Sequence, residues 1–173
     1  MHSSIEISLI ALVTAAAWSD LRTTRIPNWI TVPGALLGFA LQAWYGGLHG
    51  VLASLAGAGL GLGIFIALYI AGGMGAGDVK LFSAVGALVG PQALIVVFVF
   101  TGLLGGITAA GLAASRGRLR ETLVRTGGLL LDFGRLRWQE VRDTSIAAGP
   151  NALRLPYGAV IAGGTLVSLV VLH

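Results

Sequence analysis

Long apolar stretches, separated by short connections that hold nearly all the charge, constrain this chain more than any other feature. Its 173 residues are 55% hydrophobic and 10% charged, with a mean hydropathy of +0.88. A typical soluble domain carries about 25% charged residues, so this sequence has too few to cover a water-facing surface. We therefore predict an all-α integral membrane protein, folded as a single domain over residues 1–173.

The apolar stretches predict six membrane-spanning helices, because one span needs about 20 residues. They cover residues 5–19, 28–45, 51–71, 79–90, 93–114 and 155–172. The first stretch has no basic leader and contains Glu6, so we expect it to stay in the mature protein and not to act as a signal peptide. Small residues four apart let membrane helices approach closely. Such pairs occur in the third and fifth stretches, at Gly57 and Gly61 and at Gly102 and Gly106.

The basic residues fix the predicted topology. Six spans put the connections 19–28, 72–80 and 115–154 on one side, and these hold all 11 Lys and Arg residues. Basic loops stay cytoplasmic, so we predict both termini outside, in the cytoplasmic (inner) membrane of a prokaryote. Residues 79–90 are short for a span, but without this span the basic connections would lie on opposite sides. Bilayer thinning or surrounding protein would accommodate the short helix.

The connection over about residues 115–154 is predicted to be a basic amphipathic loop on the cytoplasmic side. It holds most of the arginines, and apolar residues recur in it at intervals of three to five residues. Such a segment suits a membrane surface, with anionic lipids as partners. A solvated helical hairpin that only joins two spans is one alternative, and a cover over the carboxylates discussed next is another.

Two carboxylates point to chemistry at the cytoplasmic boundary. Asp20 ends the first apolar stretch, and Asp78 follows a glycine run at the start of the fourth. A carboxylate costs about 2.5–3.5 kcal/mol at the centre of a membrane helix and less near the interface, so two of them on the same side of the membrane suggest a function. Two carboxylates about 4 Å apart repel by roughly 4 kcal/mol at an effective dielectric of 20, and would share one proton. One could then take a proton from water while the other donates one, as in aspartyl proteases.

Other residues near this pair are predicted to shape the site. Gly75 and Gly77 leave room for a sharp turn and for a substrate chain, while Pro27 and Asn28 form the turn into the second helix, with Asn28 as its N-cap. Lys80 would not face the nearby carboxylate on a regular helix, so we expect it to reach the membrane surface.

Metal, cofactor and nucleic-acid functions are not predicted. The chain has no Cys, and its three His residues are scattered on the predicted outer side, so we expect no metal and no cofactor. The net charge of +4 reflects the basic connections, and therefore indicates topology and no nucleic-acid partner.

Together these elements resemble the prepilin peptidases, or type IV leader peptidases, which are GxGD-type membrane aspartyl proteases. The resemblance rests on Asp20 followed by Arg25-Ile26-Pro27-Asn28, on Gly75-Ala76-Gly77-Asp78-Val79-Lys80-Leu81, and on Arg154-Leu155-Pro156-Tyr157-Gly158. It implies that Asp20 and Asp78 are the two catalytic aspartates. It also implies the substrates, which are type IV pilin-like or tight-adherence pilin precursors. From these the family cuts a short basic leader after a glycine, just before a hydrophobic segment.

Longer members of that family also carry an N-terminal cytoplasmic region, often with zinc-binding cysteines, and N-methylate the new terminus with S-adenosylmethionine. This chain begins almost directly with an apolar stretch and has no Cys. We therefore expect a short form, and do not predict methyl transfer.

Three alternatives use the same features differently. A small ion- or proton-coupled transporter subunit could use the same carboxylates, although acids near mid-span would suit it better than acids at one interface. A structural membrane scaffold would need neither carboxylate. A preflagellin-type peptidase would apply the same chemistry to another precursor. The precursor and the oligomeric state are not predicted.

Overall fold

The computed structural model describes residues 2–70, 74–115 and 157–172, and these ranges are almost entirely helical, without strands. Helix α1 spans Ser3–Thr23, α2 spans Asn28–Ile70, α3 spans Ala76–Ser115 and α4 spans Tyr157–Leu172. The all-α prediction is confirmed for these ranges. Helices α1, α2 and α3 are long and apolar enough to cross a membrane, and α4 is a shorter apolar helix. The predicted basic loop lies outside the described residues from residue 116 onward.

Helices α2 and α3 are each interrupted by one glycine with a positive φ. Gly47 has φ 55° and ψ −134°, and Gly90 has φ 77° and ψ 173°. L-residues with a side chain rarely adopt such conformations. The described ranges therefore contain six helical segments, at 3–23, 28–46, 48–70, 76–89, 91–115 and 157–172. Each overlaps one of the six predicted apolar stretches.

The chain folds back on itself at both interruptions. Beyond Gly47, a methyl group on Gly50 would overlap the carbonyl group of Gln42, although an unbroken helix would separate these residues by about 12 Å along its axis. In α3 the ring centroids of Phe82 and Phe98 lie 6.2 Å apart, against about 24 Å in an unbroken helix. Each long helix is thus a helical hairpin.

Two helices extend beyond the apolar stretches that predicted them. Helix α1 continues past the predicted end at residue 19 to Thr23, where Thr24 closes it in a left-handed conformation (φ 51°). Helix α3 begins at Ala76, three residues before the predicted start. Hydropathy marks only the part of a helix that suits lipid, whereas backbone hydrogen bonding carries the helix about one turn further into the polar boundary. As a result, Asp20 and Asp78 both lie inside helices.

The segment 76–89 is buried at the centre of the fold. Polar side chains from both parts of α2 bond to its backbone. Gln42 Nε2 donates to the Leu88 carbonyl at 2.8 Å, and Ser54 Oγ donates to the Ala87 carbonyl at 2.9 Å. A segment of this length, about 21 Å, is shorter than the ~30 Å hydrocarbon core, but it is surrounded by protein. Its fully buried side chains are Leu81, Phe82, Val85 and Leu88.

The two predicted small-residue pairs have different surroundings. A methyl group on Gly57 would overlap the Gly86 carbonyl, and one on Gly61 would lie 2.8 Å from another carbonyl of the same central segment. Close packing at this pair is therefore confirmed. Gly102 and Gly106 instead face open space, where a methyl group added to either residue would have no atom within 4 Å. The spacing permits close approach but does not supply a partner.

We expect Gly90→Ala to destabilise the fold by about 1–3 kcal/mol, because a side chain strains this backbone conformation. Space is not the limit, since the nearest atom to the new methyl group would be Ala53 Cβ at 3.8 Å. The free energy of unfolding can be measured by denaturant titration in detergent micelles.

The matched control for this prediction is Gly102→Ala, which adds the same methyl group inside a regular helix facing open space. It should be neutral or stabilising by up to about 1 kcal/mol, because Ala favours helices over Gly. Equal stability of Gly90→Ala and the wild-type protein would contradict the strain argument.

Candidate active site

Asp20 lies in the last turn of α1, and its side chain is buried, with 7% of its surface exposed. Its Oδ2 atom accepts a hydrogen bond of 2.9 Å from the backbone N–H of Gly158. Gly158 is the second residue of α4, so this N–H has no partner within its own helix. The positive end of the helix dipole also favours a carboxylate there. One bond thus joins parts of the chain that lie 138 residues apart.

Asp78 lies in the first turn of α3 and is equally buried, with 8% exposed. Its Oδ2 atom accepts a hydrogen bond from the backbone N–H of Gly75, and its own N–H donates to the Gly75 carbonyl, both at 3.1 Å. The bond from the Gly75 N–H to the Asp78 side chain is one half of a capping box, with Gly75 in the N-cap position, and the backbone carbonyl of Gly75 takes the place of an N-cap side chain. It holds the Asp78 carboxylate at a helix N-terminus, where negative charge is favoured.

Ile26 connects the surroundings of the two carboxylates. A methyl group placed on Gly77, next to Asp78, would lie 3.1 Å from Ile26 Cβ, and one placed on Gly158, which binds Asp20, would lie 3.0 Å from Ile26 Cδ1. Tyr157, the first residue of α4, is half-buried and lies within range of the Asp78 charge. The C-terminal end of α1 and the N-terminal ends of α3 and α4 therefore meet at one place. No described residue donates to Oδ1 of Asp20 or of Asp78. Among the described residues, each carboxylate is held through its Oδ2 atom.

The other predicted site residues lie around this meeting point. Lys80 Nζ donates a 2.9 Å hydrogen bond to Asn28 Oδ1, so its ammonium group joins α3 to α2. Asn28 is the first residue of α2, and the Ile30 N–H donates to the Pro27 carbonyl at 3.1 Å. The N-cap prediction for Asn28 is therefore off by one residue: Pro27 precedes the helix, and the Asn28 side chain meets Lys80.

Three further residues at the site belong to the sequence motifs, although no individual role was predicted for any of them. They are Ile26, Tyr157 and Gly158. Ile26 has a recognisable signal, because it is a single apolar residue in a polar connection and is nevertheless buried (8% exposed). Gly158 has no signal in the sequence, because it acts through a backbone N–H that any residue other than Pro carries. The sequence signal for Tyr157 is limited to its position near the start of an apolar stretch.

The side chains of the described ranges offer no metal site. They contain no group of three or more His, Cys, Asp or Glu residues that could hold a metal ion.

Comparison with known families identifies the chain. Residues 7–110 match the sequence profile of the type IV leader peptidase family, which is more than half of the 173 residues. The chain belongs to the type IV leader peptidase family. The predicted resemblance is thereby confirmed, and both buried aspartates lie within the matched residues.

Individual members of the type IV leader peptidase family are similar over about two thirds of the chain. The prepilin leader peptidase/N-methyltransferase of Bacillus subtilis (strain 168) is 34% identical over 124 residues, which cover 66% of this chain and 46% of the relative. The protein of that name from Escherichia coli (strain K12) is 32% identical over 130 residues, covering 69% and 57%. The one from Burkholderia pseudomallei (strain 1026b) is 33% identical over 124 residues, covering 65% and 38%.

The chain thus matches about half the length of these curated relatives. No solved structure matches it significantly.

Proposed function

We propose that this protein is a membrane aspartyl endopeptidase that removes the short basic leader from type IV pilin-like or tight-adherence pilin precursors. Asp20 and Asp78 are its catalytic pair. The observation that carries the proposal is the meeting of two buried carboxylates, from helices far apart in the sequence, at the point where Ile26 packs between Gly77 and Gly158. Family membership supports a peptidase, and the names of the relatives support a pilin precursor as substrate. Those names also include N-methyl transfer, for which we propose no site.

The proposed reaction is a hydrolysis in two steps. In the first, one ionised aspartate takes a proton from water as the water oxygen attacks the scissile carbonyl carbon, while the protonated aspartate donates to the carbonyl oxygen. In the second, the aspartate that took the proton from water donates it to the leaving nitrogen as the C–N bond breaks. The other aspartate takes a proton from a hydroxyl group of the tetrahedral intermediate, which becomes the new carboxyl group, and the pair returns to its starting state. Because Oδ2 of each aspartate already accepts a backbone N–H, the Oδ1 atoms carry the proton transfers.

The substrate chain approaches over Gly75, the residue before α3. Gly75 is exposed, and among the described residues a methyl group on it would meet only the Asp78 carboxylate, with Oδ2 at 3.1 Å. An extended peptide laid along this backbone would bring its carbonyl group to the carboxylate without a side chain in the way. A helical precursor would have to unwind there before its scissile bond could reach the pair.

The proposed topology puts this site at the cytoplasmic face of the inner membrane, with each of the six helical segments crossing the bilayer. The outward-facing tryptophans support contact with lipid, since Trp18, Trp29 and Trp44 are 60%, 74% and 84% exposed. Arg22, which lies 4.1 Å over the Trp18 ring, follows Asp20 closely, and Lys80 follows Asp78. Basic residues next to both carboxylates favour the cytoplasmic side.

Reporter fusions test the topology. A fusion after Leu130 should read cytoplasmic and a fusion at either terminus should read external, because basic connections are retained inside. Paired fusions to green fluorescent protein and alkaline phosphatase measure the two sides independently. A cytoplasmic signal from a terminal fusion would contradict the six-span arrangement.

The function itself is tested by cleavage of precursors. The protein should convert a co-expressed type IV or tight-adherence pilin precursor to a shorter form on a gel, and N-terminal sequencing should find the new terminus after the leader glycine. The purified protein should do the same in detergent micelles with EDTA present. A transporter cannot show its activity in micelles, so cleavage there separates the two functions. If the protein cleaves none of these precursors, the proposal is overturned.

A further inference from the structure

We propose that Ile26 is a positioning residue that sets the separation of Asp20 and Asp78, so that the rate of peptide cleavage depends on the size of its side chain. This inference rests on the proposed function of the two aspartates as a catalytic pair. Ile26 belongs to neither helix that carries them. It lies in the connection between α1 and α2, at the point where three helix ends meet.

The backbone around Ile26 is held from both sides. The carbonyl group of Arg25, in the peptide unit before Ile26, accepts a hydrogen bond from Ser19 Oγ at 2.9 Å. Thr23 Oγ1 lies 3.2 Å from the same carbonyl oxygen, and its one proton is shared between that oxygen and the Ser19 carbonyl at 2.8 Å. Pro27 follows, and a residue before proline is confined to extended conformations. Ile26 is therefore anchored to the last turn of α1, which also carries Asp20, and has little freedom of its own.

One end of Ile26 packs on the helix that carries Asp78. A methyl group placed on Gly77 would lie 3.1 Å from Ile26 Cβ and 3.3 Å from its backbone nitrogen. Contacts this short mean that a side chain at Gly77 would displace Ile26 by a few tenths of an ångström. The first turn of α3 thus rests directly against Ile26, and Asp78 is the next residue along that turn.

The other end of the Ile26 side chain contacts α4, the helix whose backbone N–H binds Asp20. A methyl group placed on Gly158 would lie 3.0 Å from Ile26 Cδ1 and 2.9 Å from Asp20 Oδ2. Gly158 is also the residue whose N–H binds Asp20. Ile26 therefore touches a residue adjacent to one carboxylate and a residue bonded to the other, and it is buried between them with 8% exposed.

The size of this side chain should matter for the reaction more than for the fold. A carboxylate displaced by about 1 Å can cost on the order of 100-fold in rate, because proton transfer depends on the distances between the reacting groups. A shorter side chain at residue 26 lets α3 and α4 settle closer together, and so changes the spacing of the two aspartates.

The test is a series of substitutions at Ile26, measured with purified protein and a pilin precursor that the wild-type protein cleaves. Ile26→Val removes only Cδ1, the atom next to Gly158, and keeps Cβ against Gly77. It should lower kcat about 10-fold with KM unchanged, and Ile26→Ala should lower kcat about 100-fold. Ile26→Leu keeps the volume and moves the branch, and should recover part of the rate lost in Ile26→Ala.

Ile5→Val is the matched control, since it removes the same carbon from a buried side chain (4% exposed) at the opposite end of α1. It should lower the melting temperature about as much as Ile26→Val while leaving kcat unchanged. Wild-type kcat in Ile26→Val would overturn the inference, and so would an equal loss of kcat in Ile5→Val. Neither result tests the assignment of Asp20 and Asp78 as the catalytic pair. That assignment would be refuted separately, by cleavage in variants that lack Asp20 or Asp78.

Discussion

Asparagine in place of either Asp20 or Asp78 should abolish leader cleavage, with a loss of at least about 1,000-fold in kcat. General acid–base catalysis contributes about 10²- to 10⁴-fold, and an amide can neither take the proton from water nor return it. Asn is nearly isosteric with Asp, and its carbonyl oxygen can still accept the N–H of Gly158 or Gly75. The variants should therefore fold, and cleavage of a co-expressed precursor on a gel measures the loss.

The control for both substitutions is Glu6→Gln, which removes an acidic group from the first turn of α1, at the opposite end of that helix from Asp20. It should leave cleavage unchanged, because nothing in the proposed reaction uses that end of the bundle. Size-exclusion profiles in detergent establish that all three variants fold. Substantial cleavage by either aspartate variant would refute the pair.

The helices were predictable because lipid places a length requirement on each apolar stretch. Every described helical segment overlaps a predicted stretch, and Gly90 stands at the predicted boundary between the fourth and fifth. Their ends were less predictable, since hydropathy falls off before helical hydrogen bonding does. That is why Asp20 and Asp78 were expected at the ends of apolar stretches and lie within helical turns instead.

The contacts of the site were not predictable from local sequence. The bond between Asp20 and Gly158 spans 138 residues, and it uses a backbone N–H, which carries no residue-specific signal. Lys80 shows the same limit. Helical geometry alone indicated that it would not face Asp78, but its partner Asn28 comes from another helix. Periodicity tells which way a side chain points, and only the packed fold tells what it meets.

Gly158→Ala should lower the rate of cleavage about 100-fold while leaving the protein folded. The added methyl group would lie 2.9 Å from Cβ and Oδ2 of Asp20 and 3.0 Å from Ile26 Cδ1, so the carboxylate must shift. A shift of about 1 Å accounts for a loss of this size. Ala also favours a helix over Gly by about 1 kcal/mol, which offsets part of the cost of crowding. The measurement is kcat with saturating precursor, together with the melting temperature in detergent.

Gly163→Ala makes the same chemical change about one and a half turns further along α4 and serves as the control. Its methyl group would meet Leu104 Cδ1 at 3.3 Å, the far end of a flexible side chain that can move aside. Cleavage by this variant should therefore stay near the wild-type rate. A wild-type kcat in Gly158→Ala would mean that the rate of cleavage does not depend on the position of Asp20 against the N-terminus of α4. A loss shared equally by both variants would assign the effect to α4 as a whole. The expected difference between them ties the rate to the few ångströms around one carboxylate.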